Sequence, residues 1–100
     1  MIESNDYNLM DFLSSVELEY LKARTKFPKM NSTHEGYGII LEELDELWDD
    51  IKDNKGKSPH AANEVKQIAA MCLAYYLEVC LGELYLSSKQ TKIGENDDKS

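Results

Sequence analysis

The feature that most constrains this chain is an apolar run in its C-terminal half, from Ile68 to Leu81. The run is 14 residues long and contains one charged residue, Glu78, whereas a membrane span needs about 20 mostly apolar residues. Its apolar side chains occur on every side of a helix, and such a helix has to be covered on all sides. We therefore expect a helix buried in a protein core, not one that crosses a membrane.

Two amphipathic helices are predicted before this run. Apolar residues at steps of three and four indicate the first helix over about 6–27, and Pro28 ends it because proline disfavours the α conformation in the preceding residue. The second helix is predicted over about 33–53, where Ser32 and Glu35 match a capping box. The core-facing positions are Leu9, Leu13, Val16, Tyr20 and Ala23 in the first helix and Ile40, Leu44, Leu47, Trp48 and Ile51 in the second.

The third helix is predicted over about 59–87, with Ser58 as its N-cap and Pro59 at its first position. A polar segment, 88–100, follows and is expected to be mobile. The fold class is therefore all-α, with one domain over 1–87. Because two other helices cannot easily surround the third one, we expect a three-helix subunit that forms an oligomeric helical bundle, as a homodimer or homotetramer.

Acidic side chains outnumber basic ones, with 19 Asp and Glu against 11 Lys and Arg in 100 residues and a formal net charge of −8. Binding to DNA or RNA depends on basic residues that neutralise phosphates, so a nucleic acid polymer is not an expected partner. A free nucleotide is compatible with this charge, because divalent cations held by carboxylates can bridge to its phosphates.

The cysteines and the N-terminus indicate a cytoplasmic protein. Cys72 and Cys80 are eight residues apart, which on one helix separates them by about 12 Å, too far for a disulfide. We expect both to be reduced thiols in the core. Residues 1–6 lack the basic start and apolar stretch of a signal peptide.

Two pairs of side chains with metal-binding oxygens recur at a spacing of three residues. Glu43 and Glu46 lie one turn apart on the second helix, and Glu64 and Gln67 lie one turn apart on the third. Four such oxygens on facing helices suit a hard cation such as Mg²⁺. An acidic helix face that simply contacts solvent is the alternative interpretation.

The chain resembles the MazG-type nucleoside triphosphate pyrophosphohydrolases, whose motif is EExxE followed by ExxD. The match begins at Thr33-His34, continues through Glu42-Glu43-Leu44-Asp45-Glu46, and reaches Glu64 after 17 intervening residues. It covers about residues 27–81 and is closest to the short MazG-like proteins of bacteria and phages.

The resemblance implies that Glu43, Glu46 and Glu64 bind Mg²⁺, with Mn²⁺ as an alternative. Gln67 occupies the fourth ligand position, where the family has Asp, and a neutral amide is a weaker Mg²⁺ ligand than a carboxylate. The implied reaction cleaves a nucleoside triphosphate, canonical deoxynucleotides included, into a monophosphate and pyrophosphate. Glu42 and Glu46 are the candidates that would accept the proton of the attacking water.

Basic and aromatic residues supply candidates for substrate contacts. Lys52 and Lys66 are candidates for the phosphates, and His34 for the base or a phosphate. Trp48, Tyr75 and Tyr76 can stack on a base, although aromatic residues at helical spacing among Leu and Ile are typical of a core.

Two alternatives to the enzyme remain open. Gln67 is consistent with a catalytically weakened protein that binds nucleotides without turnover. The acidic face of the second helix is also consistent with a non-enzymatic helical interaction protein that meets a basic partner without metal.

Overall fold

The computed structural model describes residues 4–82, and these residues form three helices in chain order. The helices are α1 (Ser4–Lys26), α2 (Thr33–Lys52) and α3 (Pro59–Ala74). A π-helical segment, Tyr75–Cys80, continues α3. The predicted all-α class is confirmed, and the described residues contain no strand. The predicted last turns of the third helix and the segment 88–100 lie outside the described residues.

Side-chain caps fix the starts of α2 and α3. The Ser32 hydroxyl accepts a hydrogen bond from the Glu35 N–H at 3.0 Å. The Glu35 carboxylate returns to the N–H of Asn31 at 2.6 Å, one residue earlier than a standard capping box. At α3 the Ser58 hydroxyl accepts from the Ala61 N–H at 3.0 Å. Both caps satisfy amide groups that have no partner inside the helix.

The third helix is the centre of the fold, since α3 packs against both α1 and α2 while those two contact each other little. Ala70 and Ala74 are fully buried, and their small side chains let the neighbouring helices approach closely. Larger buried side chains complete the core. They are Val16, Met30 and Met71.

Glu78, the one charge in the apolar run, joins three parts of the chain. Its carboxylate accepts hydrogen bonds from the Tyr20 hydroxyl at 2.7 Å and from the Met30 N–H at 2.9 Å. Arg24 Nε lies 2.6 Å from Glu78 Oε2. The side chain of Glu78 is 3% exposed, so this charge is buried with its partners around it. The contacts connect α1 and the segment after it to the π-helical segment.

Much apolar surface stays uncovered in a single copy of the chain, where fourteen large apolar side chains of residues 4–82 are exposed. On α1 they are Tyr7, Leu9, Met10, Leu13, Leu18 and Leu21. On α2 they are Tyr37, Leu41, Leu44, Trp48 and Ile51, and the remaining three are Phe27, Val65 and Tyr76. The uncovered surface therefore lies mainly on α1 and α2.

The expected core position of several side chains is wrong for a single copy, including Leu9 and Leu13 of α1 and Leu44 and Ile51 of α2, all of which are exposed. Cys72 and Cys80 are both free and exposed, and Trp48 and Tyr76 are 54% and 55% exposed. Cys72 of α3 and Tyr76 of the π-helical segment lie four residues apart, on the face opposite Ala70 and Ala74. Both are exposed because α1 and α2 cover only one side of the helix. Tyr75, in contrast, is half-buried against the core.

Candidate functional site

Three glutamates from two helices come together beside the core. Glu43 and Glu46 lie one turn apart on α2, and Glu64 faces them from α3. One carboxylate oxygen from each lies within 4.8 Å of the other two. We call Glu43, Glu46 and Glu64 the carboxylate cluster. The i, i+3 spacing aligns the first two residues, whereas the packing of α3 on α2 brings Glu64 to them.

Glu64 is the buried member of the carboxylate cluster, with 6% of its surface exposed. Its Oε1 is buried and has no hydrogen-bond partner among the described residues. A buried acceptor without a donor loses its contact with water and gains nothing in return. The arrangement is therefore incomplete in the protein alone, and a cation or a proton would complete it.

Burial and like charge act together on the titration of this cluster. Burial, together with the neighbouring Glu46 and Glu43 carboxylates, raises the pKa of Glu64 to about 7. Burial is also the main cause that raises the pKa of Glu43, followed by the charges of Glu46 and Glu42. A divalent cation would remove the repulsion, since opposite charge stabilises the ionised carboxylates. Three carboxylates at this separation can bind such a cation through oxygen, as Mg²⁺ prefers.

Gln67 lies one turn beyond Glu64 on α3 and contacts α1. Its Nε2 donates a hydrogen bond to Glu19 Oε1 at 2.6 Å. Gln67 also lines a cavity of about 370 Å³ that Glu43 and Glu42 share. We call this the central cavity. Its apolar walls come from the end of α1, the segment after it, α2 and α3, with Phe27, Met30, Ile39 and Met71 among the lining residues.

The predicted substrate-binding residues are dispersed in the structure. Lys52 lies 3.4 Å from the Asp49 carboxylate and 5.9 Å from the centre of the Trp48 ring. His34 is exposed at the start of α2, where its Nδ1 is 3.4 Å from the Thr33 hydroxyl. Lys66 is half-buried on α3, between Glu64 and Gln67 in sequence.

Analysis of the sequence missed a histidine beside the carboxylate cluster. His60 Nδ1 lies 2.7 Å from Asp50 Oδ2, and His60 Nε2 lies 3.5 Å from Glu64 Oε2. The Asp50 carboxylate raises the pKa of His60. The i, i+4 spacing of His60 and Glu64 was the available signal. Glu19 was missed as well, and no local pattern connects it to Gln67.

Comparison with protein-family models, curated protein sequences and solved structures gives no match for this chain. The resemblance to MazG-type proteins therefore rests on motif residues alone, from Thr33-His34 through Glu42-Glu43-Leu44-Asp45-Glu46 to Glu64. Within residues 4–82, no helix combines the length and apolar character that crossing a bilayer requires.

Proposed function

We propose that this protein is a divalent-metal-dependent nucleoside triphosphate pyrophosphohydrolase. The observation that carries the proposal is the buried Oε1 of Glu64, which has no hydrogen-bond partner among residues 4–82 and belongs to a cluster of three carboxylates. Acidic helix faces in contact with solvent do not bury an acceptor without a partner. The motif resemblance supplies the substrate class, and the central cavity beside Glu43 supplies room for a nucleoside.

Four glutamates carry the proposed reaction. Glu43, Glu46 and Glu64 would hold Mg²⁺, which supplies charge neutralisation of the phosphates and activation of water. Water attacks the α phosphorus, and the bond from that phosphorus to the bridging oxygen breaks to release pyrophosphate. Glu46 is exposed at the edge of the carboxylate cluster and Glu42 lines the central cavity, so either can accept the proton of the water.

Assembly of several copies is part of the proposal. Five of the fourteen exposed apolar side chains recur at steps of three and four along α2 and so form one stripe on that helix. They are Tyr37, Leu41, Leu44, Trp48 and Ile51. A contiguous exposed apolar patch of this kind marks an association surface. We infer that copies of the chain associate through α1 and α2 as a homodimer or homotetramer.

The test measures thermal melting and pyrophosphate release together, with Mg²⁺ or Mn²⁺ and a panel of nucleoside triphosphates. Wild type should melt at a higher temperature with metal and should release pyrophosphate. Glu43→Gln, Glu46→Gln and Glu64→Gln should each abolish release. Asp45→Asn is the matched control, since Asp45 is an exposed acid on α2 outside the carboxylate cluster.

One observation favours a second candidate function. Because Gln67 replaces a carboxylate and bonds to Glu19, the site has one negative charge fewer than the motif it resembles. A protein that binds nucleotide without turnover would show the metal-dependent melting shift with no pyrophosphate release. If neither metal nor nucleotide changes the melting temperature, both proposals are overturned in favour of a helical interaction protein.

A further inference from the structure

Glu43 belongs both to the carboxylate cluster and to the wall of the central cavity. A nucleotide whose phosphates are held at the cluster would therefore direct its base into the cavity. A volume of about 370 Å³ falls within the usual range of small-molecule sites. The cavity has apolar walls with five polar side chains among them, and such side chains decide which polar edge of a base is accepted. They are Arg24, Glu35, Glu42, Glu43 and Gln67.

The orientation of the Gln67 carboxamide is fixed from outside the cavity. An ionised carboxylate only accepts hydrogen bonds, so the contact of 2.6 Å requires the amide NH₂ group of Gln67 to face Glu19. The other Glu19 oxygen lies 3.3 Å from Lys22 Nζ, which holds this carboxylate on α1. Gln67 Oε1 is therefore the acceptor that this carboxamide keeps, and Gln67 is one of the residues that line the cavity.

We propose that Gln67 is a specificity-determining residue that favours adenine and cytosine, which have an amino group at the purine 6-position or pyrimidine 4-position, over guanine, uracil and thymine, which have a carbonyl at the same position. The amino group donates a hydrogen bond to Gln67 Oε1. The carbonyl oxygen of uracil, thymine or guanine would face Gln67 Oε1 as a second acceptor and form no hydrogen bond. Sites built to pair with a polar group discriminate strongly against ligands that leave it unpaired. This inference rests on the proposed function, because it requires a nucleotide at the carboxylate cluster.

The decisive variant is Glu19→Gln. The substituted side chain has the same size but can either donate or accept a hydrogen bond. The Gln67 carboxamide can then adopt either of its two flipped orientations. Wild type should bind the α,β-imido analogue of dCTP about tenfold more tightly than that of dUTP, in the presence of Mg²⁺. Glu19→Gln should reduce this ratio of affinities to near one without weakening the binding of Mg²⁺. Glu17→Gln, an exposed acid on the same helix, should leave the ratio unchanged.

Titration calorimetry with these analogues measures the two binding affinities in the absence of turnover. Gln67→Leu is a second variant in which the preference should also disappear. Melting curves verify that each variant is folded. If wild type binds both analogues equally, or if Glu19→Gln and Gln67→Leu keep the preference, the inference is overturned while the proposed function stands. If wild type binds neither analogue, the inference is overturned, and pyrophosphate release from the panel of nucleoside triphosphates decides the proposed function separately.

Discussion

Gly36 of α2 lies against the ring of Tyr75, at the point where α3 passes into the π-helical segment. A Cβ on Gly36 would be 2.6 Å from Tyr75 Cδ2 and 3.2 Å from the sulfur of Met30. The contact with Tyr75 is too short to be tolerated and the one with Met30 is tight, so the absence of a side chain at Gly36 allows α2 to pack on Tyr75. The same packing brings α2 toward α3, on which the approach of Glu43 to Glu64 depends.

Gly36→Ala should destabilise the fold, because overpacking of a close contact costs about 1–3 kcal/mol. Gly38→Ala is the matched control, since Gly38 is also in α2 but has no atom within 4 Å of the added carbon. The control should be stabilising by about 0.5–1 kcal/mol, from helix propensity alone. Urea denaturation measures both values, and equal effects of the two substitutions would contradict the packing argument.

Glu78→Ala should lower the free energy of unfolding by about 3 kcal/mol, because it leaves the Arg24 guanidinium without its buried partner. The Tyr20 hydroxyl and the Met30 N–H lose their acceptor as well. Glu17→Ala, at an exposed position of α1, serves as the control and should change stability little. Chemical denaturation at neutral pH gives the comparison, and similar losses for both variants would refute a buried ion pair at Glu78.

Without divalent metal, stability should fall as pH rises from about 4.5 to about 7. The Glu64 pKa is raised from 4.5 to about 7 in the folded protein, so the folded state keeps a proton that the unfolded chain has already released. The stabilisation is complete below pH 4.5 and is lost as the pH passes through 7. Melting curves in a chelating buffer measure this slope. Glu64→Gln should make it shallower, and an unchanged slope would show that Glu64 does not cause it.

Mg²⁺ should stabilise wild type more than it stabilises Glu64→Gln. At pH 8 without metal, the variant should melt at a higher temperature than wild type, because a buried charge and its repulsion are removed. With excess Mg²⁺, wild type should gain stability from metal binding and the variant should gain little. Calorimetric melting with and without Mg²⁺ measures both. An equal metal effect in the two proteins would place the metal elsewhere.

The chain should sediment as a species larger than its monomer mass of 11.4 kDa. Leu18→Glu and Leu21→Glu should shift it toward the monomer, because both side chains are exposed on α1 and apolar. Asn8→Glu adds the same charge at an exposed polar position of α1 and should leave the mass unchanged. Analytical ultracentrifugation decides this, and a monomeric wild type would rule out the assembly.

The sequence alone determined the features that depend on neighbours along the chain. Helix periodicity, the Ser32 and Ser58 caps and the stop at Pro28 are local, so the all-α class and the helix positions followed from spacing. The alignment of Glu43 with Glu46 is local too, because residues three apart share a face of one helix.

Tertiary structure decided which distant side chains meet and which apolar residues are covered. Gln67 contacts Glu19 across 48 residues, and Glu78 contacts Tyr20 across 58, and no helical period encodes such partners. The exposure of Trp48 and Cys72 likewise depended on how many helices lie over each face. The physical reason is that hydrophobic periodicity reports which side of a helix is apolar, whereas the packing angle and depth that bury Glu64 depend on all three helices together.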